Sequence, residues 1–363
     1  MKDRKAIILY GPRQVGKTTL LQKLEQEHDG QVLWLDGDDA ATRELLAKPG
    51  KQLLKRVLQE NTLVIIDEAQ RLENTGLLIK IIVDQFRGVK VIASGSSAFE
   101  LSDQIREPLT GRKWEFQLLP FAWEELVNHY GYIQEKGMLE TRLVYGMYPE
   151  IVTSGTDEAS QLKSLAESYL YKDILKLDQI KKTDRLEKLV QAIAWQAGNE
   201  ISYSELGQLV SLDPATVEKY ILLLERAYIV FRLPSLARNL RNELKKSKKI
   251  YFWDNGIRNA VIDQFQPLGA RSDKGVLWEN FMISERLKRN LLQNRNVNSY
   301  FWRTKQQQEI DYVEESGSTY EAFEFKWSDK SRSRPSLTFT GNYDSTYSVV
   351  SPAVMEEFLL DPA

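Results

Sequence analysis

Residues 11–19 read Gly11-Pro12-Arg13-Gln14-Val15-Gly16-Lys17-Thr18-Thr19, set between an apolar run, Ala6-Ile7-Ile8-Leu9-Tyr10, and a stretch of helical period carrying Leu20, Leu21 and Leu24. Buried strand, glycine-bearing turn and helix in that order predict a parallel strand followed by the helix that covers it, with the three leucines turned toward the sheet. Backbone without Cβ atoms can bring several N–H groups around phosphate oxygens, and the helix N-terminus adds partial positive charge. Gly11 and Gly16 supply the bends, Pro12, Arg13, Gln14 and Val15 form the loop between them, and Thr19 closes the motif. Lys17 can reach the β and γ phosphates, and the Thr18 hydroxyl can take one coordination position of Mg2+. The stretch is a P-loop, and ATP is the expected ligand. A chance match in a glycine-containing turn fits the strand and helix on either side less well.

The next landmark is Leu63-Val64-Ile65-Ile66-Asp67-Glu68, four apolar strand residues ending in two carboxylates. A buried parallel strand delivers such residues to its C-terminal edge, where ligands of open α/β sheets collect. Asp67 is then the second Mg2+ residue, acting through water, and Glu68 the group that orients or deprotonates the attacking water. The alternative is a pair of helix-capping acids. A further strand, Val89-Lys90-Val91-Ile92-Ala93, leads to Ser94-Gly95-Ser96-Ser97, where Ser94, and after it Ser96, is the candidate sensor of the γ phosphate, against turn or cap serines. Arg112, in Leu109-Thr110-Gly111-Arg112, is a candidate phosphate sensor or a finger onto a neighbouring subunit's nucleotide, the latter requiring a homo-oligomer; Arg106 ranks behind it. No Asn-Lys-x-Asp motif favours GTP. A small-molecule P-loop kinase is the enzymatic rival, but it needs a lid arginine set and an acceptor pocket that the sequence does not mark.

The 363 residues exceed one domain, and 42% hydrophobic with 28% charged residues is ordinary for a folded globular chain. With no cysteine, thiolate metal sites, disulfides and cysteine nucleophiles are excluded, and two distant histidines, His28 and His129, do not suit an imidazole-based metal cage or triad. The net charge of -2 confines any nucleic-acid contact to a local patch. No run is long and apolar enough for a membrane span, and Met1-Lys2-Asp3-Arg4-Lys5 leads into the first strand without a signal-peptide pattern, so a cytoplasmic protein with no membrane partner is expected.

At these residues the chain resembles a family of prokaryotic AAA-type ATPases whose P-loops read Gly-Pro-Arg-Gln-Val-Gly-Lys-Thr-Thr. The matching signatures are Asp67-Glu68-Ala69-Gln70, Gly95-Ser96-Ser97, Gly111-Arg112, Leu119-Pro120-Phe121 with Glu124-Glu125-Leu126, and Tyr145-Gly146-Met147-Tyr148-Pro149-Glu150. Family members usually carry additional residues before the first strand, and this chain starts almost on it, so the adenine contacts are unassigned. The resemblance implies an ATPase core over 1–120, a helical lid over 121–182, a winged helix over 183–235 and a restriction-endonuclease-like domain over 236–363.

In the lid segment, Leu162, Leu165 and Tyr169 recur at helical spacing, which a plain helical spacer would also show. In the next, Leu186, Leu189, Ile193 and Trp195 mark one helix, Ser204 to Val210 a second, and Asp213-Pro214 the capped start of a third with Val217, Ile221 and Leu224 inward, before a wing strand at Tyr228-Ile229-Val230-Phe231. Between Ser204 and Ala227 four acids (Glu205, Asp213, Glu218, Glu225) face two bases (Lys219, Arg226), which suits packing or protein contact better than a phosphate backbone. The basic stretch over 238–249, with Arg238, Arg241, Lys245, Lys246, Lys248 and Lys249 against Glu243, is the better candidate to grip DNA or RNA; the alternative is a solvated lysine loop.

A helix over Val276 to Leu292 then precedes strands at Ser299 to Arg303, Glu309 to Val313, Tyr320 to Trp327 and Tyr347 to Ser351. That order resembles the restriction-endonuclease-like PD-(D/E)xK fold, with Glu279 on the helix, Asp311 on the second strand, and Glu324 and Lys326 two apart on the third, hence on one face. The resemblance implies a metal-dependent nuclease site: Asp311 and Glu324 sharing Mg2+, Glu279 adding a contact, Lys326 polarising water. A cross-strand ion pair, or a nuclease-like fold without activity, is the alternative. Two functions are therefore open. One is an ATPase that couples nucleotide state to the winged helix and the nuclease-like domain, acting on nucleic acid; the other is a nucleotide-controlled protein-interaction switch with an inactive nuclease-like domain.

Overall fold

In the computed structural model the described residues are 5–96, 105, 108–168, 183–237, 248–329 and 334–360. They form two compact units, Met1–Leu119 with Arg226–Tyr228, and Pro120–Glu225 with Ile229–Ala363.

The first unit is a five-stranded, fully parallel sheet in the order β2-β3-β4-β1-β5. Its elements run β1 (Ala6–Tyr10), α1 (Lys17–Gln26), β2 (Val32–Asp36), α2 (Ala40–Leu46), α3 (Lys51–Leu58), β3 (Leu63–Asp67), α4 (Thr75–Gln85), β4 (Lys90–Gly95) and β5 (Lys113–Gln117). All five residues of β3 are buried, as an inner strand covered on both faces requires. Leu63 and Ile65 pack with Ile92 and with Leu21 of α1, so one stripe of that helix is seated on the sheet. Leu24 does not share it and is 36% exposed. It stands roughly 60° around the helix from Leu21, outside the narrow contact that a ten-residue helix makes with a twisted sheet.

Strand β5 hydrogen-bonds to β1 on one side and forms the sheet edge, with Trp114 and Phe116 about half exposed on one face. Lys5 lies 3.9 Å over the Trp114 ring, and Lys113 pairs with Glu115 at 2.7 Å. Charges of this kind discourage edge-to-edge pairing.

The second unit begins with helices α5 (Trp123–Tyr130), α6 (Tyr132–Gly137), α7 (Leu139–Tyr145), α8 (Pro149–Ser154) and α9 (Glu158–Glu167). Tyr169 and the rest of the expected lid to 182 lie outside the described residues. Next come α10 (Thr183–Trp195), β6 (Glu200–Ile201), α11 (Tyr203–Val210), α12 (Pro214–Arg226), β7 (Val230–Pro234) and β8 (Lys248–Phe252), the three strands forming an antiparallel sheet in the order β6-β8-β7. Asp213 caps α12 through the Thr216 N–H at 2.9 Å, and Val217, Ile221 and Leu224 are buried. One detail corrects the expectation: the strand starts at Val230 because Tyr228, at φ 58°, is left-handed. Trp195, at the end of α10, is 57% exposed.

Helix α13 (Asn255–Val261) and the long α14 (Lys274–Leu292) lead to β9 (Asn298–Arg303), β10 (Glu309–Ser316), β11 (Thr319–Phe325), α15 (Leu337–Thr340), β12 (Ser345–Val350) and α16 (Met355–Leu359). The sheet order is β12-β11-β10-β9, antiparallel except for the β11–β12 pair. One core runs through the unit: Trp123 and Leu143, Phe231 and Leu233, and Trp278, Phe281, Tyr312 and Phe325 belong to it. Segments 121–182, 183–235 and 236–363 therefore share apolar burial. Helix α14 is covered nearly all round, so its polar residues are paired internally. Asn280 exchanges hydrogen bonds with the Phe252 backbone at 2.8 and 2.9 Å, Arg286 forks onto Glu314 at 2.9 and 2.7 Å, and Glu285 accepts from the Trp123 N–H at 2.6 Å. Among the described residues no helix is long and apolar enough to cross a membrane.

Candidate functional site

Strand β1 stops at Tyr10 and α1 starts at Lys17, so Gly11 to Gly16 form a loop at the C-terminal edge of the sheet. Gly11 has no alternative there: a Cβ would lie 1.9 Å from the Leu118 carbonyl oxygen, which is backbone and cannot swing aside. Gly16, at φ 90°, turns the chain into the helix. The Lys17 side chain is buried beneath the loop, its ammonium donating to the Gly11 and Pro12 carbonyls at 3.0 and 2.6 Å. Thr18 donates to Asp67 Oδ2 at 2.7 Å. The two residues expected to share Mg2+ thus meet, although β4 separates their strands.

Ser94, fully buried on β4, closes that gap. Its hydroxyl donates to Asp67 Oδ1 in a short hydrogen bond, and it accepts from the Glu68 N–H at 3.4 Å. Ser94 is therefore seated against the carboxylate of Asp67. Glu68 is left-handed, at φ 47° and ψ 42°, and its carboxylate Oε2 accepts from Gln70 Nε2 at 2.5 Å and from Ser96 Oγ at 3.3 Å. Gln70 Nε2 also donates to Ser96 Oγ at 3.1 Å, closing a three-residue ring around Glu68. Sequence reading had Gln70 only as a letter of the signature Asp67-Glu68-Ala69-Gln70. Gly37 was missed altogether. A Cβ there would meet the Glu68 carbonyl oxygen at 2.3 Å, so the end of β2 leaves room for the turn that carries Glu68.

Arg112 is not at this site. Its carbonyl accepts from the Ala6 N–H at 2.9 Å, at the start of β1, whereas the P-loop follows the end of that strand. Its guanidinium pairs with Asp84 at 2.8 Å. A sensor role toward the nucleotide of its own chain is thereby corrected, because four residues of extended strand, roughly 13 Å, separate the two edges. Ser97 and Arg106 lie outside the described residues.

In the second unit Glu279, Asp311, Glu324 and Lys326 are electrostatic neighbours, but in other company. Lys326 Nζ pairs with Glu324 Oε1 at 2.7 Å. Asp311 stands where the β9–β10 register shifts, and its Oδ2 accepts from the Phe325 N–H at 2.8 Å. Glu279 accepts from the Tyr251 hydroxyl at 2.6 Å and from Lys249 Nζ at 3.3 Å, and Lys249 also reaches Glu309 at 2.5 Å. Burial, then the charges of Glu279 and Glu324, push the Asp311 carboxyl up to about 8, against the opposing pull of Lys249 and the Phe325 N–H. Burial works against the Lys249 ammonium, but Glu279, Glu309 and Asp311 outweigh it and hold its pKa above the ordinary lysine value. Of the basic stretch over 238–249, Arg238, Arg241, Lys245 and Lys246 lie outside the described residues, and Lys249 is turned inward at 2% exposure. Lys249 is therefore corrected from a surface phosphate grip to a buried partner of acids.

Residues 3–127 match the AAA domain family, and 136–268 and 274–356 match two domains of unknown function, DUF8612 and DUF4143. Similar curated proteins include an uncharacterized protein of Mycobacterium tuberculosis, 27% identical over 88% of this chain and 70% of its own length. Another, from Haemophilus influenzae, is 23% identical over 78% and 74%. Solved structures with partial likeness are a Pif1 helicase from a study of forked DNA unwinding and Bacteroides Pif1 bound to single-stranded DNA, 16% and 17% identical. Each has a TM-score of 0.23, with 45% and 44% of this chain and less than half of each helicase covered. Glycine-turned loop, buried lysine and strand-end carboxylates on a parallel sheet are those of a P-loop NTPase core, and residues 3–127 match the AAA domain family.

Proposed function

We propose that the chain binds ATP at Gly11 to Thr19 and hydrolyses it with Mg2+. The contact of the Thr18 hydroxyl with Asp67 carries this reading, since it joins the two oxygen donors of a hard divalent ion at the helix N-terminus beside the loop. Held there by Thr18 and Asp67, Mg2+ would neutralise phosphate charge. The loop N–H groups and Lys17 would hold the phosphates, Ser94 would orient Asp67, and Glu68 would accept the proton of the attacking water. Lys17→Ala is expected to abolish ATP binding, and Glu68→Gln to retain binding while slowing turnover; parent-rate hydrolysis by Glu68→Gln would remove Glu68 from its role.

The wider reading is a cytoplasmic ATPase whose nucleotide state is coupled to a winged helix (α10 to α12 with β6, β7 and β8) and to a nuclease-like domain. Nucleic acid is the proposed object, through that domain and the basic stretch before β8. An ATPase assay with and without DNA or RNA tests it, stimulation being the expected result. One observation favours a second reading, an inactive nuclease-like domain serving as a protein-contact platform: the carboxylates read as metal ligands already neighbour two lysines. Metal-dependent cleavage lost in Asp311→Ala and Glu324→Ala would overturn that second reading.

A further inference from the structure

The restriction-endonuclease-like reading implies a divalent ion among Glu279, Asp311 and Glu324, and the side chains present do not fit one. Lys249 rises from β8 beside Tyr251, two residues on and therefore on the same face, and both reach Glu279 of α14. Lys249 is 2% exposed, and its ammonium stands 3.3 Å from Glu279 and 2.5 Å from Glu309, two residues before Asp311. Glu324 is taken by Lys326, and one Asp311 oxygen by the Phe325 N–H. Among the described residues no group of three acidic or imidazole side chains is gathered as a metal cage. We propose that the ammonium of Lys249 is the resident cation of the Glu279, Glu309 and Asp311 cluster, standing in for a divalent ion and keeping it out. A buried, hydrogen-bonded ammonium brought in on a strand supplies the counter-charge of these half-buried acids without an open coordination position. This role for Lys249 rests on the nuclease-like reading of the C-terminal domain and is independent of the nucleotide site.

The test is a Mn2+ titration of the full chain carrying Asp67→Asn, which removes the nucleotide-site carboxylate, without nucleotide, followed by water-proton relaxation. The parent is expected to show no saturable binding. Lys249→Met should bind Mn2+ saturably, with a dissociation constant at least about tenfold (roughly 1.4 kcal/mol) below the highest concentration at which the parent shows no saturation, and lose that binding when Asp311→Asn is added. Lys249→Arg, which keeps the cation, should behave as the parent. Saturable Mn2+ binding by the parent that Asp311→Asn removes overturns the proposal, as does a folded Lys249→Met chain that gains nothing. Should Lys249→Met not fold, Lys249→Gln is read in the same way, and the parent titration decides by itself. Cleavage assays on nucleic acid run alongside: cleavage without metal binding at the cluster would overturn the inactive-domain reading while leaving Lys249 in its place.

Discussion

Glu68 holds a left-handed backbone conformation that costs a non-glycine residue about 1 kcal/mol or more. What holds it is local: its N–H bonds to Asp67 Oδ1 and Ser94, and its carboxylate to Gln70 and Ser96. Gln70→Ala should therefore lower kcat about tenfold, the worth of one hydrogen bond to a charged group, with KM for ATP nearly unchanged; a parent kcat would remove Gln70 as a positioning residue. Asp273 sets a second expectation. Burial would raise its carboxyl, but hydrogen bonds and charge from Arg271 and Arg258 outweigh it and hold it at about 2, below the ordinary 3.8. A depressed carboxyl stabilises the fold above its unfolded pKa and loses that contribution as pH falls from about 3.8 through about 2. After screening the loss is on the order of 1 kcal/mol, and urea unfolding of Asp273→Asn should lack this acid slope.

Element by element, periodicity carried most of the fold. The P-loop strand, Asp67 at the end of β3, the three helices α10 to α12 and the four strands after α14 fall within three residues of their sequence signals, because each is fixed by a local apolar period or a cap. The misses share a cause. Leu24 obeys the helical period but lies beyond the contact made by its helix, which the sequence of one element does not record, whereas Trp195 stands roughly 200° around α10 from Ile193, on the face away from the core. Gly37 matters only because the carbonyl of Glu68, thirty-one residues on, occupies the space of its Cβ. Gly37→Ala should accordingly displace that turn, costing about 1 to 3 kcal/mol and lowering turnover; unchanged ATPase activity would show that the turn gives way freely. Trp278, fully buried and donating to the Val350 carbonyl at 3.2 Å, anchors α14, and Trp278→Ala should cost about 3 to 5 kcal/mol in chemical denaturation.

At the scale of the whole chain, what the sequence withheld is long-range: Trp123 meets Phe281, and Lys249 meets Glu279, contacts no window of residues can display. A sensor role for Arg112 within its own chain fails for the same reason, since its signature says nothing of which end of the strands it occupies. Two units with separate cores should unfold in two thermal steps. A non-hydrolysable ATP analogue with Mg2+ at a hundred times its dissociation constant should stabilise one step by about 2.7 kcal/mol, a rise of roughly 10 °C for a domain of this size. Lys17→Ala should erase the rise. A shift of both steps together would mean that the units unfold as one.

The hydrogen bond from the Phe325 N–H to Asp311 changes how the lineage of this domain is to be read. It gives the aspartate a mechanical duty, closing a strand pair where the register of the neighbouring strand slips, and selection for folding alone would preserve it. Its survival in a relative therefore says little about inherited chemistry. On the nuclease-like reading proposed above, the diagnostic position is 249: a relative with a short neutral residue in place of the lysine would leave the cluster open to a metal ion, and such relatives are the ones in which to look for cleavage.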